Sequence, residues 1–161
     1  MTNDELVAYA ADHLYYELSQ WYESGARLVN DPKIHEDFIV KNALIESFAI
    51  HSRVLSAFLF PDVQRDDDVT AENYVADIDQ WQLLRGPIPH ELATVMRRTS
   101  GEVAHLTTRR LERSDPAKVW DPRAIVRTLC PVLRLFLAHA IPERLDVSVT
   151  MFLGNLPAAP A

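Results

Sequence analysis

Residues 35–60 read HEDFIVKNALIESFAIHSRVLSAFLF, and this stretch decides the fold class. Leu44, Phe48, His51, Leu55, Phe58 and Leu59 recur at helical spacing along one side. Ile39, Ala43, Ile50, Val54 and Ala57 recur on the far side. A helix apolar on two sides has to be buried on two sides. It is therefore either the centre of a helical bundle or one half of a contact between copies, and the pattern leads us to expect a homodimer through residues 35–60. Asp31-Pro32 precedes the stretch and Pro61 ends it.

Outward from there, the chain divides at its prolines. Residues 4–30 carry Leu6, Ala10, Leu14, Leu18, Trp21 and Leu28 near one face, with Thr2 or Asn3 as cap and Asp4 and Glu5 at the positive end of the dipole. Residues 61–88 are irregular: a charged turn at 65–68, a short helix over 71–77, and Trp81, Leu83 and Leu84 pinning the excursion onto the core. Pro89 suits a first helical turn, so a third long helix spans 90–113, with Leu92, Val95, Met96, Val103 and Leu106 inward. Asp121-Pro122 opens a fourth to residue 140, which Pro131 should kink. A short apolar segment comes next at 147–153. With no alternating strand pattern, the expectation is all-α: a four-helix bundle with an extra short helix in the second connection. Residues 1–153 form a single domain and 154–161 a flexible tail.

The 161 residues suffice for one domain with a core. Sixteen basic against 23 acidic residues give a net charge of −7, which argues against general coating of nucleic acid but not against a local basic site. The lone Cys130 lies in an apolar helical run and reads as core filler. The acidic start MTNDEL lacks the basic-then-apolar order of a signal peptide, and no apolar stretch approaches a membrane span. A cytoplasmic protein without membrane contact is expected.

Chemistry concentrates in one row. Arg98 and His105 are seven residues apart, which on an α-helix returns to nearly the same face. Glu102 falls between them and Arg109 continues the stripe. The wheel sets this row at the border of the core rather than within it. Arginine offers a fixed fork for phosphate and histidine exchanges a proton near neutral pH. Together they suit activation of a ribose 2′-hydroxyl beside a bound phosphate, without metal or cofactor. Two other Arg–His spacings exist, Arg85–His90 and Arg134–His139. The first spans Pro87 and Pro89, and the second points its residues to different faces.

In the spacing of Arg98-Thr-Ser-Gly-Glu-Val-Ala-His105, carried on a small helical bundle, the chain resembles the HEPN superfamily, whose signature is an arginine, a few residues and a histidine. Many of its members are bacterial ribonuclease toxins or defence proteins. The resemblance implies a metal-independent endoribonuclease or an inactive RNA-binding relative, two protomers sharing one cleft, and a neutralising protein partner. Arg98 would hold phosphate, His105 transfer protons, Glu102 orient the pair and Arg109 extend the RNA-binding rim. Thr99 departs from the family, which often carries an amide or acid after the arginine.

Two other readings stay open. In the first the row is only surface and the protein is a non-catalytic helical interaction or scaffold protein. In the second, Glu102-Val-Ala-His105, or His13 with Glu17 and His51, holds a metal; di-iron bundles, though, need a second Glu-x-x-His, which this chain lacks. His51 itself reads as a hydrogen-bonded core histidine. Tyr9 and Tyr16 lie off the main core face of the first helix and read as packing groups rather than base-stacking ones.

Overall fold

The computed structural model describes residues 1–62, 67–103, 108 and 120–156, and over these the protein is all-α. Its elements are α1 (Asn3–Tyr9), α2 (Tyr15–Asn30), α3 (Phe38–Leu59), α4 (Ile78–Arg85), α5 (His90–Arg98), α6 (Pro122–His139) and α7 (Val147–Gly154). A π-helical turn, Ala10–Leu14, joins α1 to α2 as one continuous rod, and a second, Thr99–Val103, prolongs α5. Short 3-10 turns lie at Pro32–Glu36, Ala71–Asn73 and Pro142–Arg144. The only bridge of β type among the described residues joins Val75 to Ala140.

The helix starts are set by the polar residues before them. Thr2 and Glu5 form a capping box on α1. Asp37, Asp77, Asp121 and Asp146 each accept first-turn backbone N–H groups at the starts of α3, α4, α6 and α7. The short helix expected over 71–77 is a 3-10 turn at Ala71–Asn73 only, and Asp77 opens the α-helix that follows. Trp81 on α4 is buried as expected, but Leu83 is 81% exposed and Leu84 half-exposed, because on an eight-residue helix only one face reaches the core. Residues 32–36 are 3-10, and the second long helix starts at Phe38 instead of at residue 35.

The first π turn has a visible cause. Leu6, Ala10, Leu14 and Leu18 are all buried and all four residues apart. On a regular α-helix each four-residue step overshoots a full turn by about 40°. A wider turn in the middle of the run takes up the excess and holds the four side chains on one line.

The rods α2 and α3 pack against each other along their length. Glu17 meets His51, and the backbone at Gly25 comes against the Phe48 ring, so the two run antiparallel. A Cβ at residue 25 would lie 2.7 Å from Phe48 Cε2, which is why glycine stands there. Helix α6 packs against α2, α3, α4, α5 and α7. Pro131 lies inside it and removes one backbone donor. Phe136 of α6 meets the rings of Phe58, Tyr74 and Trp81 at centroid separations of 5.2, 6.0 and 6.1 Å. The buried Tyr74 donates its hydroxyl to the Leu6 carbonyl at 3.1 Å, and burial raises its pKa above the ordinary phenol value. Cys130 is buried on the same helix as Phe136, its thiol pushed up to about 11 by desolvation.

The side of α3 that faces α2, α5 and α6 is buried, and the opposite side is not. Its Phe48, His51, Leu55, Phe58 and Leu59 face inward as expected. On the other side Ile39 is 78% and Ile50 42% exposed. The chain's end is tighter than a loose tail from residue 154: Gly154 closes α7, Leu156 is buried, and its carbonyl accepts from Arg134. Residues 157–161 lie outside the described residues, as do 104–107 and 109–119, so the expected continuation of the third helix to residue 113 falls there. No described helix is long and apolar enough to cross a membrane.

Candidate functional site

Of the row Arg98, Glu102, His105 and Arg109, the structure describes the first two; His105 and Arg109 lie outside the described residues. Arg98 ends α5 and Glu102 sits on the π turn after it. Arg98 Nε donates to both carboxylate oxygens of Glu102, at 3.1 and 3.2 Å, and Nη2 donates to Oε2 at 3.0 Å. The guanidinium carbon lies 4.1 Å from the centre of the Trp120 ring, so its charge is met at the edge by a carboxylate and on a face by an indole. Arg98 is only 8% exposed.

That burial corrects the placement of Arg98 at the border of the core. Arg98 and Glu102 form an i,i+4 ion pair, and it is sequestered, because Trp120 closes over it from a distant part of the chain. Thr99 fixes the same turn from the other side, donating its hydroxyl to the Ala49 carbonyl of α3 at 3.2 Å while itself buried. Thr99 thus anchors the π turn to α3. The turn from Thr99 to Val103 that follows Arg98 is π-helical, where the spacing of the row assumed a regular α-helix.

A second polar group, of which the sequence singled out only Tyr9, His13 and Glu17, lines a cleft of about 560 Å³ between the first rod, α3 and the segment after it. Tyr9, His13 and Glu17 come from the first rod, Arg53 from α3, and Asp62, Asp67, Asp68 and Thr70 from the connection. The π turn Ala10–Leu14 carries His13, whose ring lies 4.8 Å from that of Tyr9. Behind this wall, His51 Nδ1 and Glu17 Oε2 are 2.6 Å apart and the Tyr16 ring meets His51 edge-on at 5.5 Å. His51 is thus the hydrogen-bonded histidine that its apolar surroundings suggested. Tyr16 packs on the partner helix, as read from the sequence. Burial first, then the carboxylates of Glu17 and Asp68, raise the Tyr9 pKa and keep its phenol protonated. Four carboxylates against one arginine make the cleft repel phosphate.

Among the described residues no three His, Cys, Asp or Glu side chains converge as ligands, and Glu17 with His51 is a pair only; His105, on which the Glu102-Val-Ala-His105 reading depends, lies outside them. No family model, curated protein or solved structure matches the chain.

Proposed function

We propose that the chain is a HEPN-like bundle of four long helices that acts as a homodimeric binding protein, in which Arg98 braces the fold and the RNA-contacting groups are those beyond the π turn, His105 and Arg109. One observation carries this reading: the Arg98 guanidinium is already occupied by Glu102 and Trp120 while nearly buried. A group that is to neutralise a scissile phosphate needs its donors turned to the ligand. Among the forms that the resemblance allows, the non-cleaving one fits this arrangement. Expression of wild type beside Arg98→Ala and His105→Ala tests it: equal growth and intact cellular RNA are expected for wild type and His105→Ala. Cleavage by wild type that is lost in His105→Ala would overturn the proposal in favour of the endoribonuclease.

The dimer rests on the outer side of α3. Ile39, Ala43, Glu46, Ile50, Arg53 and Ala57 are separated by steps of four, three, four, three and four, the seam of a coiled coil. Ile39, Ala43, Glu46, Ile50 and Arg53 all retain solvent access. Glu46 and Arg53 stand one turn to either side of Ile50. A two-fold axis through Ile50 lays Glu46 of one copy against Arg53 of the other, twice, and Ala43 against Ala57. Such self-complementarity is what an isologous interface needs. Light scattering at micromolar concentration is expected to give twice the chain mass for wild type and the single mass for Ile50→Glu. A wild-type monomer contradicts the pairing.

A further inference from the structure

Among the described residues two arginines lie against an aromatic ring, and their surroundings differ in one respect. Arg98 has Glu102. Arg85, the last residue of α4, has its guanidinium carbon 4.9 Å from the centre of the Phe60 ring and forms no ion pair among the described residues. Its Nη1 donates to the neighbouring Gly86 carbonyl, at 3.3 Å, and its Nε is buried without a partner among the described residues. A guanidinium has five N–H donors, and leaving them unsatisfied out of water is unfavourable. Burial accordingly lowers the Arg85 pKa, an effect that Glu72 opposes without cancelling. Glu72 itself accepts from Gln82 at 2.7 Å.

Arg85 borders a pocket of about 480 Å³ between the end of α3 and α5. Phe60, Ile88 and Met96 give it an apolar wall, Arg97 adds a second cation at the mouth, and Asp62 lies on the rim. This volume is in the range of small-molecule sites. We propose that the pocket binds a monoanionic amphiphile, a carboxylate on an alkyl or aryl body, with the carboxylate on the Arg85 fork and the body against Phe60, Ile88 and Met96. The planar fork matches a carboxylate in two parallel hydrogen bonds. Asp62 on the rim disfavours a dianion such as a phosphate monoester, and the apolar wall disfavours a small inorganic anion. The site is separate from the Arg98 cluster and stands whether or not the chain contacts RNA.

Calorimetric titration of the full chain with octanoate tests this, with octan-1-ol and inorganic phosphate as comparison probes. Saturable binding of octanoate is expected, with octan-1-ol and phosphate at least tenfold weaker. Arg85→Gln should weaken octanoate at least tenfold, and Leu83→Gln, on the exposed face of α4, should leave it unchanged. If Arg85→Gln loses its helical circular dichroism, Ala93→Leu, which fills the pocket from α5, is expected to give the same tenfold loss. No saturable octanoate binding by wild type overturns the proposal. So does equal binding by a folded Arg85→Gln, or phosphate binding as tightly as octanoate.

Discussion

Phe136→Ala is expected to cost about 3–5 kcal/mol of folding stability, the range for removing a fully buried aromatic from a packed core. The ring is wholly buried on a helix that packs against α2, α3, α4, α5 and α7, and three further rings close on it from α3, from the connection after it and from α4. Those neighbours cannot fill the space together, since Tyr74 is held to the Leu6 carbonyl and Trp81 belongs to a helix anchored by its own cap. For a domain of this size, a loss of this order lowers Tm by about 10 °C or more. Urea unfolding of the variant against wild type measures it. Leu83→Ala, on the exposed side of α4, should shift stability by no more than about 0.5 kcal/mol. A Phe136→Ala cost below about 1 kcal/mol would mean that the core is not organised around α6.

How far the sequence alone reaches is clear from particular residues. Asp121-Pro122 marks the start of α6 to the residue, because a capping side chain and a first-turn proline are local signals. The inward faces of the first rod and of α3 are equally legible from spacing. Asp77 is ambiguous in sequence because a capping aspartate looks alike whether it closes one element or opens the next. Hydropathy alone assigns Leu83 and Leu84 to the core, whereas the geometry of a short helix decides which of three apolar residues is inside.

The candidate site is less legible, and for a different reason. Spacing pairs Arg98 with Glu102 at i,i+4, but their burial depends on Trp120, far along the chain, and no local pattern contains that contact. Of the two π turns, only the first has a local signal, the four-residue steps from Leu6 to Leu18. The cleft lined by Tyr9, Glu17, Arg53 and Asp68 draws on three separate segments, so the sequence singles out Tyr9 and Glu17 without showing what they face. Arg85 draws notice in sequence only through a spacing to His90 that two prolines interrupt.

The claim on which the functional reading turns is that Arg98 and Glu102 hold one another in a nearly buried pair. Removing one member of such a pair strands the other's charge, at about 3–5 kcal/mol, whereas replacing both with apolar groups of similar size is far milder. A double-mutant cycle in urea with Arg98→Met, Glu102→Leu and the double variant tests this. Glu102→Leu alone should cost about 3 kcal/mol. The double variant should be more stable than the sum of the two single losses by more than about 1 kcal/mol. Two small losses that add within about 0.5 kcal/mol would show instead that the side chains stand apart, leaving the Arg98 guanidinium open to phosphate and restoring the case for a nuclease.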